Sequence, residues 1–299
     1  MDEVLCFSPK NVVAFGICGI ITTGVPYKIN KGTAREYFHR FSIQEGNTMK
    51  KVLAMFLAAA TMLSLSACGK KANEQFTVES GKLIMSTEAG FAPYEYVKDG
   101  KIVGVDVDIA EEIASQLGLE LVVVDMDFDK AILAPHEGTA DFAAAGIAVT
   151  ESRKDAVSFS VEYLQTAQVV VTKAGDNSVS DEASMLSKTI GVQSGSTAEL
   201  NYAEKAANCK SFLKYQEAAD ALKAGEIECI VMDNRAAQML VANNAELSVC
   251  PFNLYEDSVA FAVEIDNKAL LEKINPIMQK LIDNGKVEEF VQNHMANSL

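Results

Sequence analysis

From residue 82 onward, apolar positions follow two alternating rhythms. Residues 82–86 (KLIMS) form a short, mostly apolar run and predict a strand. Ile109, Ile113 and Leu117 then recur every fourth position, one face of a helix, with Gly118 as a stop. Residues 119–124 (LELVVV) are apolar and β-branched, the pattern of a buried strand. A helix over 128–136 and a strand over 141–144 follow. The polar, turn-rich stretch 173–181 (KAGDNSVSD) reads as a loop at the edge of a lobe. The rhythm then resumes with a strand over 189–192, a Ser/Gly loop over 193–197 and a helix to about residue 207. Next come a strand over 211–215, a helix over 217–224, a strand over 227–232 and a helix over 233–241. Leu270, Ile274, Ile277, Met278 and Leu281 make a packing stripe on a final helical stretch, 267–295. Strand, helix, strand at this spacing predicts right-handed βαβ units and parallel sheets. Two such runs predict two α/β lobes. No repeat of 20–50 residues is present.

The N-terminal pattern is different. Met49-Lys50-Lys51 gives a positive start, and residues 52–67 are apolar or small with no charge. At 16 residues, this run is shorter than the roughly 18 needed to span a bilayer. It reads as a secretory signal peptide over 49–67. Leu65-Ser66-Ala67-Cys68 resembles a bacterial lipobox. That resemblance implies that Cys68 carries lipid, palmitate included, and becomes the mature N-terminus. It places the protein outside the cytoplasm, anchored to the cell membrane. Residues 1–48 read as an upstream extension from a misassigned start, with Met49 the true one. Residues 68–75 (CGKKANEQ) read as a polar tether.

Removing the first 67 of 299 residues leaves 232, enough for two lobes with real cores. That portion holds 19 basic and 37 acidic residues, a formal charge near −18. Such acidity excludes nucleic acid as a partner, since phosphates are repelled. It also disfavours electrostatic adhesion to anionic lipid, which leaves membrane attachment to the anchor. Cys209, Cys229 and Cys250 remain in the body. Three thiols permit one bridge with one free, or none bridged. No CxxC or His-paired spacing occurs, so no metal site and no cofactor is expected. His136 and His294 read as surface residues.

Ligands of open parallel sheets bind beyond the carboxyl ends of the strands. Those ends offer Thr87, Glu88, Phe91 and Tyr94; then Gly146, Ala148, Thr150 and Arg153; then Ser194 to Thr197; then Asp233. Together they supply aromatic faces, one guanidinium, hydroxyls, N–H groups and two carboxylates. A free α-amino acid needs that set: a guanidinium for its carboxylate and an acid for its ammonium.

Several segments carry a family resemblance. They are Glu88 to Tyr96 (EAGFAPYEY), Gly104 to Ala110 (GVDVDIA), Asp141 to Arg153 (DFAAAGIAVTESR), Ile190 to Thr197 (IGVQSGST) and Ile230 to Asn234 (IVMDN). Over about residues 76–299 the chain resembles the polar amino-acid family of extracellular solute-binding proteins. The resemblance implies a two-lobe, type II periplasmic-binding-protein-like α/β fold, with parallel-sheet lobes joined by two crossover strands. The crossovers fall near 167–172 and 258–263. Lobe 1 is expected over 76–167 plus 258–299, and lobe 2 over 168–257. By the same resemblance, Arg153 clamps the ligand carboxylate with the N–H groups of Ala148 and Thr197. Asp233 holds the ammonium, with the carbonyl of Gly146, and Glu88 lies near the amine or side chain. Phe91 and Phe128 sandwich the side chain. Ala148 departs from the Ser or Thr common at its position. The bland alternatives are that Asp233 and Thr197 merely cap helices, that the phenylalanines are core and that Glu88 is a loop acid.

The function implied is capture of a polar amino acid and delivery to an ABC importer by hinge closure of the two lobes. Its partners are a permease pair and an ATPase, and the protein itself is expected to be a monomer. No bond is broken and no enzyme is implied. The rival is a dehydratase on the same fold acting on a cyclic carboxylic acid, for which Glu88 is the sole candidate acid.

Overall fold

A computed structural model of the protein describes residues 75–297. The signal peptide, Cys68, residues 1–48 and all but the end of the tether lie outside the described residues.

Two five-stranded sheets organise the described chain. The first has the order β5-β1-β6-β13-β7. Its strands are β1 (Lys82–Thr87), β5 (Glu120–Asp125), β6 (Phe142–Ala143), β7 (Val157–Phe159) and β13 (Ala262–Glu264). The second has the order β10-β9-β11-β8-β12. It contains β8 (Leu164–Lys173), β9 (Thr189–Gln193), β10 (Asn208–Phe212), β11 (Cys229–Asp233) and β12 (Leu247–Val259). A small meander, β2 (Gly90–Phe91), β3 (Glu95–Lys98) and β4 (Lys101–Val103), stands apart from both.

The sheets are mixed, not wholly parallel. β1 pairs parallel with β5 and β6, and β9 with β10 and β11. β13 and β8 run antiparallel to their neighbours. The βαβ units build the parallel cores, while the strands that pass between the sheets return in the opposite sense. The run 119–124 is an edge strand, half-buried to exposed, because only β1 flanks it. The second passage between the sheets falls inside 258–263. β12 ends at Val259, and 262–264 already belongs to the first sheet.

α1 (Val105–Leu117) begins after Gly104, carries Asp106 and Asp108 in its first turn and stops at Gly118. Its buried stripe of Ile109, Ile113 and Ala114 packs with Leu83, Met85, Phe142 and Phe261 of the first sheet region. α8 (Lys268–Asp283) adds Leu270, Ile274 and Met278 to the same core. Burying each such large side chain contributes about 1.5–3 kcal/mol before entropy is counted. The predicted final helix is two helices: α9 (Lys286–Asn297) follows a break at Asn284-Gly285. On α9, His294 is half-buried rather than exposed; its ring meets Tyr96 at 3.0 Å and Asp108 at 2.9 Å.

In the second sheet, alternation along β8 splits the core in two. Val169 and Val171 face α6 (Tyr215–Ala224) and α7 (Asn234–Ala242); Val170 faces the opposite side with Ile190, Val192 and Val231. Cys209, Cys229 and Cys250 are all free thiols, and burial pushes Cys229 up to about 12.

Candidate functional site

The loops at the carboxyl ends of β1, β6, β9 and β11, with β8 and β12 themselves, surround one cavity of about 390 Å³, part of it open to solvent. Phe91, Phe128, Gly146, Ala148, Arg153, Thr197 and Asp233 all line it. The guanidinium of Arg153 and the carboxylate of Asp233 therefore face a shared gap rather than opposite sides of a core.

Arg153 lies in the four-residue helix α3 (Glu151–Lys154), whose N-cap hydroxyl, Thr150, accepts from the Arg153 N–H at 3.2 Å. The side chain turns inward and is 7% exposed. Nη1 donates to the carbonyl of Ala148 at 2.7 Å, and Nη2 to the carbonyl of Gly195 at 3.0 Å. The guanidinium sits 5.6 Å above the Phe128 ring, a cation–π contact from α2 (Phe128–Leu133). Burial lowers its pKa to about 10, opposed first by nearby Asp257, so it remains charged at neutral pH.

Asp233 ends β11 and caps α7. Its Oδ1 accepts from the N–H groups of Arg235 (2.9 Å) and Ala236 (3.0 Å). Its Oδ2 accepts from the Tyr94 hydroxyl at 3.1 Å and from the hydroxyl of Thr166. Burial raises its pKa, and these donors pull it back. Both readings of Asp233 thus meet in one residue: it caps a helix and lines the cavity. Thr197 opens α5 (Thr197–Tyr202), but Ser196 is the cap, its Oγ accepting from the Glu199 N–H.

Phe91 stacks on Tyr94 (ring centroids 5.4 Å) and on Tyr215 (5.6 Å). The stack explains Gly146. A Cβ there would stand 2.8 Å from the Phe91 ring, and φ of +56° is left-handed. The Gly146 N–H donates to Asp106 Oδ2 at 2.9 Å, which fixes the loop that carries Ala148.

Asp106 is itself fully buried, and its other oxygen accepts from the Tyr163 hydroxyl. Burial raises its pKa from 3.8 to about 6. Beside it, buried Glu95 is held well above the carboxylate range by burial and by Asp106. For a raised acid, the stability contributed is full below the unfolded pKa and is lost as pH rises through the folded one. Asp106→Asn removes that loss. The stability of the natural protein relative to this variant should fall by on the order of 3 kcal/mol from about pH 4 to about pH 7, read from paired thermal melts. A gap independent of pH would refute the role given to Asp106.

Glu88 does not line the cavity. It is 1% exposed, accepts from Gln193 Nε2 at 3.0 Å and lies 3.3 Å from Lys214 Nζ. Burial raises its pKa, with Lys214 the main opposing influence. Gln193, which does face the cavity, stands between.

The strands between the sheets supply what sequence reasoning missed. Thr166 and Gln168 on β8, and Asp257 and Val259 on β12, alternate by two and share the cavity face. Nothing local sets them apart from the other polar positions of these strands, such as Gln165 and Glu256. Ala145, Ser196 and Tyr215 complete the wall. Asp257 Oδ2 accepts from Gln168 at 3.2 Å and Thr197 at 3.4 Å.

Among the described residues, no helix is long and apolar enough to cross a membrane, and no cluster of potential metal ligands occurs. The chain is similar to the arginine-binding extracellular protein ArtP of Bacillus subtilis, at 29% identity over 249 residues, covering 81% of this chain and 96% of that protein. It is 32% identical to a probable histidine-binding protein of Campylobacter jejuni over 248 residues, with the same coverages. Among solved structures, the amino acid ABC transporter substrate-binding protein AbpA of Streptococcus pneumoniae, bound to L-arginine, superposes with a TM-score of 0.70 at 30% identity. That match covers 73% of this chain and 96% of that one. These relatives are binding proteins, not enzymes, and the likeness gives the chain their two-lobe type II periplasmic-binding-protein fold. Residues 83–297 match the bacterial extracellular solute-binding proteins, family 3, and the chain belongs to that family.

Proposed function

We propose that the cavity binds a free polar amino acid and that the protein delivers it to an ABC importer. The observation that carries this reading is the pairing of Arg153 and Asp233. They are two buried, opposite charges, one from the helix after β6 and one from the end of β11, that line one gap. Arg153 takes the carboxylate with the N–H groups of Ala148 and Thr197. Asp233 supplies negative charge at the ammonium end, with the Gly146 carbonyl. Phe91 and Phe128 pack on the side chain, and Glu88 acts through Gln193. The relatives named for arginine and histidine binding support the same class, as does a 28% identical ABC transporter arginine-binding protein 1 of Escherichia coli.

Capture is coupled to closure of lobe 1 (76–167 plus 258–299) on lobe 2 (168–257) about β8 and β12. Contacts that join the two sides support this. Arg153 reaches the Gly195 carbonyl, Tyr94 reaches Asp233, Glu88 reaches Gln193 and Lys214, and Phe91 stacks on Tyr215. A ligand touching both lobes stabilises the closed state by its extra contacts there. The permease and ATPase receive the ligand from a monomer that lipid on Cys68 holds at the outer face of the membrane.

A thermal-shift screen against the twenty amino acids, cystine and ornithine tests the ligand class. A ligand at about 100 times its Kd adds about 2.7 kcal/mol to stability. Silence across the whole set would end this reading. In the producing cell, Cys68→Ser should abolish palmitate labelling, and persistent labelling would end the anchor assignment.

A further inference from the structure

Resting on the reading that the two lobes close on an amino acid, we propose that Lys214 and Glu88 form a latch outside the ligand cavity, which slows ligand release by holding the lobes together. Glu88 follows β1 on one side of the gap, and Lys214 precedes α6 on the other. Lys214 Nζ lies 3.3 Å from Glu88 Oε1, and Gln193 Nε2 donates to Glu88 Oε2 at 3.0 Å. The same Gln193 nitrogen donates to the carbonyl of Leu213 at 3.0 Å. One amide thus ties the carboxylate to the segment that carries the lysine. Neither Glu88 nor Lys214 lines the cavity, so a ligand does not take the place of either partner. The other contacts named across the gap each include a residue that does line it.

Each partner would be a local fault without the other. Lys214 occupies the N-cap of α6, where a hydroxyl or carboxylate is favoured and a cation faces the positive end of the helix; its side chain makes no cap bond. Glu217 serves that helix start instead, its Oε2 accepting from the N–H groups of Leu213 (3.2 Å) and Lys214 (3.4 Å). Glu88 is an acid only 1% exposed, and its Oε1 accepts no hydrogen bond, so the charge of Lys214 is what compensates that oxygen. The carboxylate is also held in place. An added Cβ at Gly90 would stand 2.7 Å from Oε1, and the Ala89 N–H donates to Asp125 Oδ1 at 2.8 Å. Parting the lobes returns Glu88 to water, where it needs no partner. Burying it on closure costs free energy, which Lys214 and Gln193 offset. The contribution of the lysine therefore falls on the closed state alone, and so on the rate at which that state lets its ligand go. The Lys214 side chain is 45% exposed, which keeps the effect moderate.

The test uses the full chain, stopped-flow tyrosine emission and L-arginine, with L-histidine and L-glutamine in its place where L-arginine does not bind. Lys214→Met keeps the stem and loses the charge. It should raise the release rate on the order of 10-fold and leave the association rate within about twofold. In a Glu88→Gln background the buried group is neutral and still accepts from Gln193. There the same substitution should change release by less than about twofold. Lys214→Ser supplies the cap that α6 lacks. It should speed release while leaving the Tm of the ligand-free protein at or above the natural value, a split that a purely structural role does not produce. It also replaces Lys214→Met in the comparison if that variant does not fold. Four results overturn the latch. An unchanged release rate would make Lys214 an inert rim charge. Equal acceleration with and without the Glu88 carboxylate would place its partner elsewhere. A change carried by association would make it a steering charge for the ligand. Faster release with a lower Tm in Lys214→Ser would make it structural. Each of these leaves the amino-acid reading standing, whereas binding of none of the three probes to the natural protein overturns that reading and the latch together.

Discussion

Arg153→Ala is expected to weaken amino-acid binding by at least about 2 kcal/mol, and up to about 5 kcal/mol, the range for truncating one member of a buried charge pair. The magnitude follows from the surroundings of the guanidinium. It is buried on Phe128 and held by the carbonyls of Ala148 and Gly195. Its direction is therefore fixed before a carboxylate arrives, and little ordering remains to be done on binding. Removing it also leaves Asp257 and Asp233 facing the cavity without a compensating positive charge. A ligand carboxylate then meets two acids and no base. Lysine is not an adequate replacement, because its point charge lacks the planar fork that reaches two carbonyls and a carboxylate at once. Calorimetric titration of the variant with the best ligand from the thermal-shift screen checks this. Affinity within a few-fold of the natural protein's would take Arg153 out of the site.

Gly104→Ala is expected to be the most damaging single substitution for the fold, at roughly 3 kcal/mol or more. The backbone φ at Gly104 is +147°, and an added Cβ would lie 2.0 Å from the Tyr94 carbonyl oxygen and 2.8 Å from the Glu95 Cα. Both obstacles are backbone, so no side chain can swing aside. The N–H of Asp106 donates to that same Tyr94 carbonyl, and the N–H of Val105 to the carbonyl of Pro93. Forcing the chains apart breaks the start of α1 and moves Tyr94 and Asp106, which hold Asp233 and Gly146. A fall of roughly 6–12 °C in Tm, or failure to fold, is the expected readout for a body of this size. A Tm within about 2 °C of the natural protein's would show that the meander relaxes where this geometry says it cannot.

The parts of the fold set by local periodicity were legible in the chain. The Ile109–Ile113 face, the strand of 82–86 and the alternating β and α runs of 189–242 depend on residues close in sequence. Direction and edge position were not legible. Leu121 to Val124 have the composition of a central strand, and only the absence of a second neighbour makes β5 an edge. The helix expected to run to about residue 207 stops at Tyr202, and the strand placed at 211–215 begins at Asn208. The strand's bounds follow its pairing with β9, Asn208 opposite Thr189 through Phe212 opposite Gln193, which local pattern does not encode. At the site, Arg153 and Asp233 could be read because each follows a strand end. Asp257 and Gln168 could not, because they sit inside strands whose sequence resembles any half-buried ladder. Glu88 was legible as an acid near the cleft, but its commitment to Gln193 and Lys214 depends on residues 105 and 126 positions away.

The three-ring stack at the seam has a consequence for observing the molecule in solution. The chain contains no tryptophan, so its intrinsic ultraviolet emission comes from tyrosine. Two tyrosines, Tyr94 and Tyr215, each stack on Phe91, and Tyr94 also donates to a carboxylate that can quench it. Any separation of the two sides removes Tyr215 from that ring and Asp233 from the Tyr94 hydroxyl together. The unlabelled protein thus carries its own optical gauge of opening, with no competing indole signal to subtract.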